Sequence, residues 1–207
     1  SSDLGRQSAG GRSPGGIDTA ANQRGAGKIN KVRIIGGDYR RRLLEFPDVA
    51  GLRPTPDRVR ETLFNWLGQT LYGKSCLDLF AGSGALGFEA ASRGAARVVM
   101  VENDRAALCA LQENAKKLAC ANVALYGEDG IEFVRRENRR YDVVFLDPPF
   151  RSGLLEEALP LLQDRLEEGG LVYAESGEAF EPGAAWETVR RAKAGNVHYQ
   201  LLKRAPE

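Results

Sequence analysis

Between Ser75 and Ser176 the chain alternates short apolar runs with segments of helical pattern. SCLDLF leads into GALGFEAASRG, ARVVMVE into DRAALCALQENAKKLA, NVALYG into DGIEFVRREN, and YDVVFLD into SGLLEEALPLLQDRL, with GGLVYAES closing the series. This alternation is the strongest constraint on the fold. A strand followed by a helix returns to run beside the previous strand in the same direction, so the sheet is parallel with helices on its faces. All the strand carboxyl ends then lie on one edge, where their loops can converge on a ligand. Pro160 is expected to kink or divide its helix. The last segments, AAWETVRRAKAG and NVHYQLLKRA, read as two strands joined at Lys-Ala-Gly, which gives the sheet an antiparallel edge.

The 207 residues suffice for one such domain with a small attachment. Residues 1–27 are rich in Gly, Ser and Ala without apolar periodicity and read as a disordered tail. Residues 28–71 form a basic hairpin and helix, and residues 72–207 the α/β domain. In the attachment, VRIIGG and LLEF are short strands around a glycine-containing turn, and Pro54 and Pro56 mark a helix start. Val59, Leu63, Phe64, Trp66 and Leu67 recur at helical spacing, which leaves Arg58 and Glu61 on other faces. The net charge of +1 hides an asymmetry, because the first 60 residues hold 12 basic against 6 acidic side chains. A basic segment beside an acidic body is either a polyanion-binding attachment or a solvated face. No apolar stretch is long enough for a bilayer and no signal peptide is visible, so a cytoplasmic protein is expected. Three cysteines without a C-x-x-C pair fit reduced thiols.

In DLFAGSGALGFE, Gly82, Gly84 and Gly87 fit G-x-G-x-x-G at a strand-to-helix turn, where backbone N–H groups are free for a ligand. The next strand ends at Glu102, placed to meet ribose hydroxyls. Dinucleotides use the same elements. Asp78, however, would repel a pyrophosphate and attract a cationic amino-acid group, which favours S-adenosylmethionine. Glu128-Asp129-Gly130 closes the following strand, and Asp129 could accept from an adenine amine or simply cap the next helix. The cofactor candidates are therefore Asp78, Phe80, Gly82, Ser83, Gly84, Glu102, Asn103, Asp129 and Gly130.

VVFLDPPF ends a strand on the same edge. Its prolines keep the chain extended and leave carbonyls without a helical use. Asp147 and the Pro148 carbonyl could accept both hydrogens of one exocyclic amine and favour the pyramidal nitrogen that attacks a methyl group. Phe150 would stack on the base. Taken alone, DPP equally suits a proline-terminated strand. The single histidine, His198, lacks partners at ligand spacing, which argues against a metal site or a Ser-His triad. Trp66 and Trp186 lie in apolar patterns and read as packing residues.

DLFAGSGALGFE and DPPF together resemble the Rossmann-like S-adenosylmethionine methyltransferases of exocyclic amines. With LRPTPDRVRETLFNWL ahead of them, the chain from about Lys28 onward is similar to the RsmD family of 16S ribosomal RNA guanine-N2 methyltransferases. The resemblance implies a seven-stranded sheet with an antiparallel last strand and an N-terminal extension that helps hold RNA. It implies cofactor contacts from Asp78, the Gly82–Gly84 turn, Glu102 and Asp129, and a grip on guanine by Asp147, Pro148, Pro149 and Phe150. Arg53, Thr55, Arg58 and Arg60 become candidates at the active-site mouth, with Lys31, Arg33, Arg40, Arg41 and Arg42 of the hairpin as phosphate contacts. Pro56 departs from the Thr or Ser expected there. The implied substrate is small-subunit ribosomal RNA, naked or in a ribosomal particle. The rival readings are a DNA adenine-N6 or cytosine-N4 methyltransferase, an NAD-dependent oxidoreductase and a non-catalytic RNA-binding module.

Overall fold

A computed structural model describes residues 27–149 and 153–207. Residues 1–26, and hence nearly all of the expected tail, lie outside the described residues, as does Phe150.

The strands and helices alternate as the apolar pattern requires. β3 (Ser75–Asp78), β4 (Arg97–Val101), β5 (Val123–Tyr126), β6 (Tyr141–Leu146) and β7 (Leu166–Ser176) are parallel. They are connected by α2 (Ala85–Ser92), α3 (Arg105–Leu118), α4 (Gly130–Arg136) and α5 (Leu154–Leu162). The sheet order is β5-β4-β3-β6-β7-β9-β8, with β8 (Trp186–Ala194) and β9 (Val197–Arg204) forming the terminal hairpin. β9 inserts between β7 and β8 and is antiparallel to both. The strand order reverses between β3 and β6, so their carboxyl ends flank the switch-point crevice of a doubly wound sheet. One apolar cluster fills each face of the sheet, with Phe88, Met100 and Phe145 on one side and Leu79, Val99 and Val144 on the other. Among the described residues no helix is long and apolar enough to cross a membrane.

Two details differ from the sequence pattern. Pro160 does not divide its helix: α5 runs unbroken through it and gives way two residues later to a 3-10 turn, Gln163–Arg165. Pro160 forgoes the one bond its N–H would make to the Glu156 carbonyl, and the helix ends within two residues of it. β7 also begins earlier than expected, at Leu166, because that buried leucine pairs with Tyr141 before the register shifts. The shift is made at Gly169-Gly170; Gly169 has φ +73, and a Cβ on Gly170 would meet the Glu167 carbonyl at 2.8 Å.

The N-terminal attachment is a two-stranded hairpin, β1 (Ile29–Arg33) and β2 (Leu43–Pro47), followed by α1 (Asp57–Trp66). Val32, Leu44 and Phe46 point into the core while Lys31, Arg33 and Glu45 face solvent. Trp66 packs on Tyr199 at 5.2 Å between ring centres, and Trp186 is buried, so both tryptophans serve packing.

A charged cluster built on buried Arg60, Glu89 and Arg93 ties this attachment to the sheet. Glu89 of α2, fully buried, accepts from the Ile35 and Gly36 N–H groups (both 2.9 Å) and from Arg93 Nε (2.9 Å). Arg60 of α1 approaches it at 3.5 Å and donates to the carbonyls of Arg33 (2.9 Å) and Thr55 (3.1 Å). Arg93 also donates to Gln69 and lies over the Phe64 ring at 4.8 Å. Removing one member of such a network strands the others as unpaired charges in the interior. Glu89→Ala should therefore lower unfolding free energy by about 3–5 kcal/mol in urea titration. Glu132→Ala, which removes only an exposed ion pair on α4, should stay within about 0.5 kcal/mol of the parent.

Candidate active site

The loops on the carboxyl edge bring together the groups that the motifs singled out. β3 ends at Asp78, which is almost wholly buried and accepts from the Gly87 N–H in the first turn of α2 (3.0 Å). The intervening turn is tied across to the next strand, because the Gly82 N–H donates to Glu102 at 2.9 Å. The other Glu102 oxygen accepts from the Asp104 N–H (2.9 Å). Gly82 and Gly84 have φ of +55 and +82, and a Cβ on Gly84 would meet Phe88 at 2.6 Å, so only glycine fits there. A Cβ on Gly87 would meet Met100 at 2.7 Å, which lets α2 press on β4. Ser83 is buried and accepts from the Ala85 N–H. Phe80 is half-buried, with its ring 2.9 Å from where a Gly130 Cβ would stand. Asn103 is exposed beside Glu102. Asp129 caps α4 by accepting from the Glu132 N–H (3.0 Å), one of the two roles open to it. Beside it, Glu128 Oε1 is buried with no partner among the described residues.

On the far side of the switch point, Asp147 follows β6, with Pro148 buried and Pro149 exposed. Thr55, from the stretch ahead of α1, reaches across to it. Its hydroxyl stands 3.1 Å from Asp147 Oδ2 and 2.9 Å from Glu175 Oε2, and the Tyr173 hydroxyl donates to the same Glu175 oxygen at 2.7 Å. Burial, and next the charge of Glu175, push the Asp147 carboxyl well above the usual carboxylate range, while the Thr55 hydrogen bond opposes the shift. Burial raises Glu175 too, against the hydrogen bonds from Tyr173 and Thr55. Burial pushes Asp78 up to about 7, partly offset by the Gly87 N–H and reinforced by Glu102.

The expected RNA-contacting residues divide into three groups. Arg60 and Thr55 are corrections. Arg60 is fully buried and engaged with Glu89, Asp57 and two carbonyls, so its guanidinium has no free face for a phosphate. Thr55 is buried against Asp147 and Glu175, so its hydroxyl does not face solvent where a phosphate would lie. Arg53 and Arg58 are exposed near Thr55, and Arg53 and Lys31 line an open cleft of about 460 Å³ with Asn30, Phe46 and Pro54. Arg40, Arg41 and Arg42 are exposed, but at the other end of the molecule. The turn that carries them bonds to Ser92 at the end of α2, and Arg42 to the Lys117 carbonyl near the end of α3. That places them about 20 Å, one α3 length, from the carboxyl edge. Arg33 is exposed near the same end of β1.

The residues that motif reading missed are Glu175 and Tyr173. Their signal was an acidic residue closing the apolar run LVYAES on the edge that carries DPPF. Among the described residues, no cluster of three or more His, Cys, Asp or Glu side chains is arranged to hold a metal.

A doubly wound sheet with an antiparallel terminal hairpin, a glycine turn bonded to an acid on the next strand and DPP at the switch point together define a Rossmann-like class I methyltransferase. Residues 32–203 match the family described as Conserved hypothetical protein 95. The chain is 46% identical over 189 residues to the Ribosomal RNA small subunit methyltransferase D of Escherichia coli strain K12, covering 88% of this chain and 93% of that protein. It is 40% identical over 182 residues to the protein of the same name from Haemophilus influenzae, covering 84% and 94%. The solved structure of yhhF from Escherichia coli superposes with a TM-score of 0.76 at 44% identity, covering 86% of this chain and all of that one. The chain belongs to the RsmD family of ribosomal RNA small-subunit methyltransferases.

The raised Asp78 gives a stability test. The native protein binds this proton more tightly than the unfolded chain, so its contribution is full below the usual carboxylate range and is lost as pH rises toward about 7. Asp78→Asn keeps an acceptor for the Gly87 N–H and removes the charge. The melting temperature of the cofactor-free variant should fall less than the parent's between about pH 4 and pH 7. Parallel curves in scanning calorimetry would show that Asp78 does not titrate there.

Proposed function

We propose that the protein transfers a methyl group from S-adenosylmethionine to the exocyclic N2 of a guanine in small-subunit (16S) ribosomal RNA, in the cytoplasm. The observation that carries this reading is Asp147-Pro148 at the switch point, beside the glycine turn, with a buried acid on either side. Family membership and the names of the relatives supply the ribosomal RNA. The Asp147 carboxyl and the Pro148 carbonyl present two acceptors to one –NH₂ group, which restrains it and strips its nitrogen of conjugation with the base.

The residues fit the cofactor. Asp78 and Glu102 offer carboxylate oxygens near the turn, for a cationic amino group and for ribose hydroxyls respectively. The unpartnered Glu128 oxygen is an acceptor suited to an adenine amine. Phe80 and Gly130 form an apolar wall beside it. When bound, S-adenosylmethionine supplies an electrophilic methyl on a positively charged sulfur. Exposed Arg53 and Arg58, with Lys31 in the cleft, would hold phosphates flanking the target, and Phe150 would stack on the base.

Asp147→Asn, incubated with tritiated S-adenosylmethionine and small subunits from a strain lacking the enzyme, should transfer methyl at least about 100-fold more slowly. Its cofactor affinity by calorimetry should stay within a few-fold of the parent's. Nucleoside analysis of the parent's product should yield N2-methylguanosine. Label on adenine or cytosine would overturn the base assignment, and naked 16S RNA run in parallel separates the two forms of substrate. Arg53→Ala with Arg58→Ala should weaken RNA binding and reduce the slope of log affinity against log salt by about 1–2. An unchanged slope would remove both residues from the RNA path.

A further inference from the structure

The hydrogen bonds around Thr55 do not balance unless a carboxyl carries a proton. Three oxygen–oxygen contacts run in a chain: Tyr173 to Glu175 Oε2 (2.7 Å), Glu175 Oε2 to Thr55 (2.9 Å) and Thr55 to Asp147 Oδ2 (3.1 Å). Each needs one hydrogen, and the two hydroxyls supply two. The third belongs to a carboxyl at one end of the Thr55 bridge. If it is on Asp147, that carboxyl donates to Thr55, Thr55 donates to Glu175, and Glu175 accepts from two hydroxyls as an anion. If it is on Glu175, the Thr55 hydroxyl turns and donates to Asp147. The two arrangements differ only in where hydrogens lie along one short path.

We infer that Thr55 and Glu175 form a proton relay behind Asp147, which holds one proton in the resting enzyme and receives the proton that the methylated amine must shed. The inference rests on the methyltransferase reading above. When the guanine nitrogen takes the methyl group, a new N–C bond replaces the S–C bond, the electron pair of the broken bond stays on sulfur, and nitrogen becomes cationic. It returns to neutrality by giving a hydrogen to Asp147 Oδ1. Asp147 Oδ2 passes its own hydrogen to Thr55, and Thr55 passes its hydrogen to Glu175. Asp147 ends neutral as it began but with its hydrogen on Oδ1 instead of Oδ2, the product amine is neutral, and the relayed proton rests on Glu175.

The surroundings favour the resting arrangement with the proton on Asp147. Glu175 already accepts from Tyr173 and Thr55, which favours its ionised form, whereas among the described residues Asp147 has Thr55 alone. The strong upward displacement of Asp147 agrees with this order. Thr55 is held for the task on both sides. Pro54 and Pro56 keep its backbone extended, and its carbonyl accepts from buried Arg60. Thr55 and Glu175 are thus positioning residues that act through Asp147.

Single-turnover methyl transfer to small subunits, measured across pH, tests the relay. The other titratable groups facing the pair are Asp78 from β3, Tyr173 from β7 and Tyr199 from β9. They are common to all the variants, so differences between profiles report the bridge. Thr55→Val keeps the shape and cuts the path. It should be at least about tenfold slower near neutral pH, and its rate should climb with pH as Asp147 itself ionises. The parent should be flat over that range. Thr55→Ser should restore both the rate, within about threefold, and the flat profile, and Glu175→Gln should be as slow as Thr55→Val near neutral pH. Cofactor affinity should stay within about twofold throughout. Parallel profiles for the parent and Thr55→Val, or a Thr55→Ser variant as slow as Thr55→Val, would overturn the relay alone. An unsubstituted protein that transfers no methyl group would overturn the parent reading and the relay with it.

Discussion

Everything at the catalytic edge depends on a carboxylate that never meets it. Glu89 is buried in the middle of α2 and would be intolerable there without partners, because an isolated ion in the interior loses its hydration for nothing. Its partners come from three places: the backbone after β1, Arg93 one turn further along α2, and Arg60 from α1. Satisfying one charge therefore fixes the hairpin, the helix and the sheet relative to one another. Arg60 carries the constraint onward, since its Nε holds the carbonyl of Thr55 while the Thr55 hydroxyl meets Asp147 and Glu175. The attachment thus reaches the Asp147 cluster on the carboxyl edge, joined to it through a side chain that looks in the sequence like one more basic residue.

The sequence was most legible where physics is local. Strand–helix alternation forces a parallel sheet, a positive-φ glycine turn admits no side chain, and a double proline ends a strand; each needs only its immediate neighbours. Asp78, Gly82, Glu102 and Asp147 could be placed on one edge because periodicity alone sets which end of a strand they close. Residues whose roles depend on distant partners were not readable this way. Arg60 and Arg58 are two positions apart on one helix, and only tertiary packing makes the first a buried tie and the second a surface charge. Arg40, Arg41 and Arg42 form the densest basic run in the chain, yet the hairpin's length carries them to the opposite end of α3. A charge count gives the sign of a segment and says nothing about which way it points. Glu175 was passed over for a related reason: a single acid at the end of an apolar strand gains meaning only from what lies on the neighbouring strand.

On the proposed function, this edge has to serve two ligands of opposite charge. Asp78, Glu102, Asp147 and Glu175 line or underlie it, with Asp78 and Glu175 buried and the other two half-buried. Such a floor attracts a sulfonium and an ammonium and repels phosphate. An RNA strand cannot settle into it backbone first. On that reading its phosphates would be held on the rim, where Arg53, Arg58 and Lys31 are exposed, and only a base, which is uncharged, could pass from the rim to Asp147 at small electrostatic cost. Burial, reinforced by the neighbouring carboxylates, displaces Asp147 and Asp78 toward their neutral forms. A pocket that must attract cations without accumulating unpaired negative charge has few solutions. A neutral Asp147, joined through Thr55 to an ionised Glu175 that two hydroxyls hold in place, is one of them.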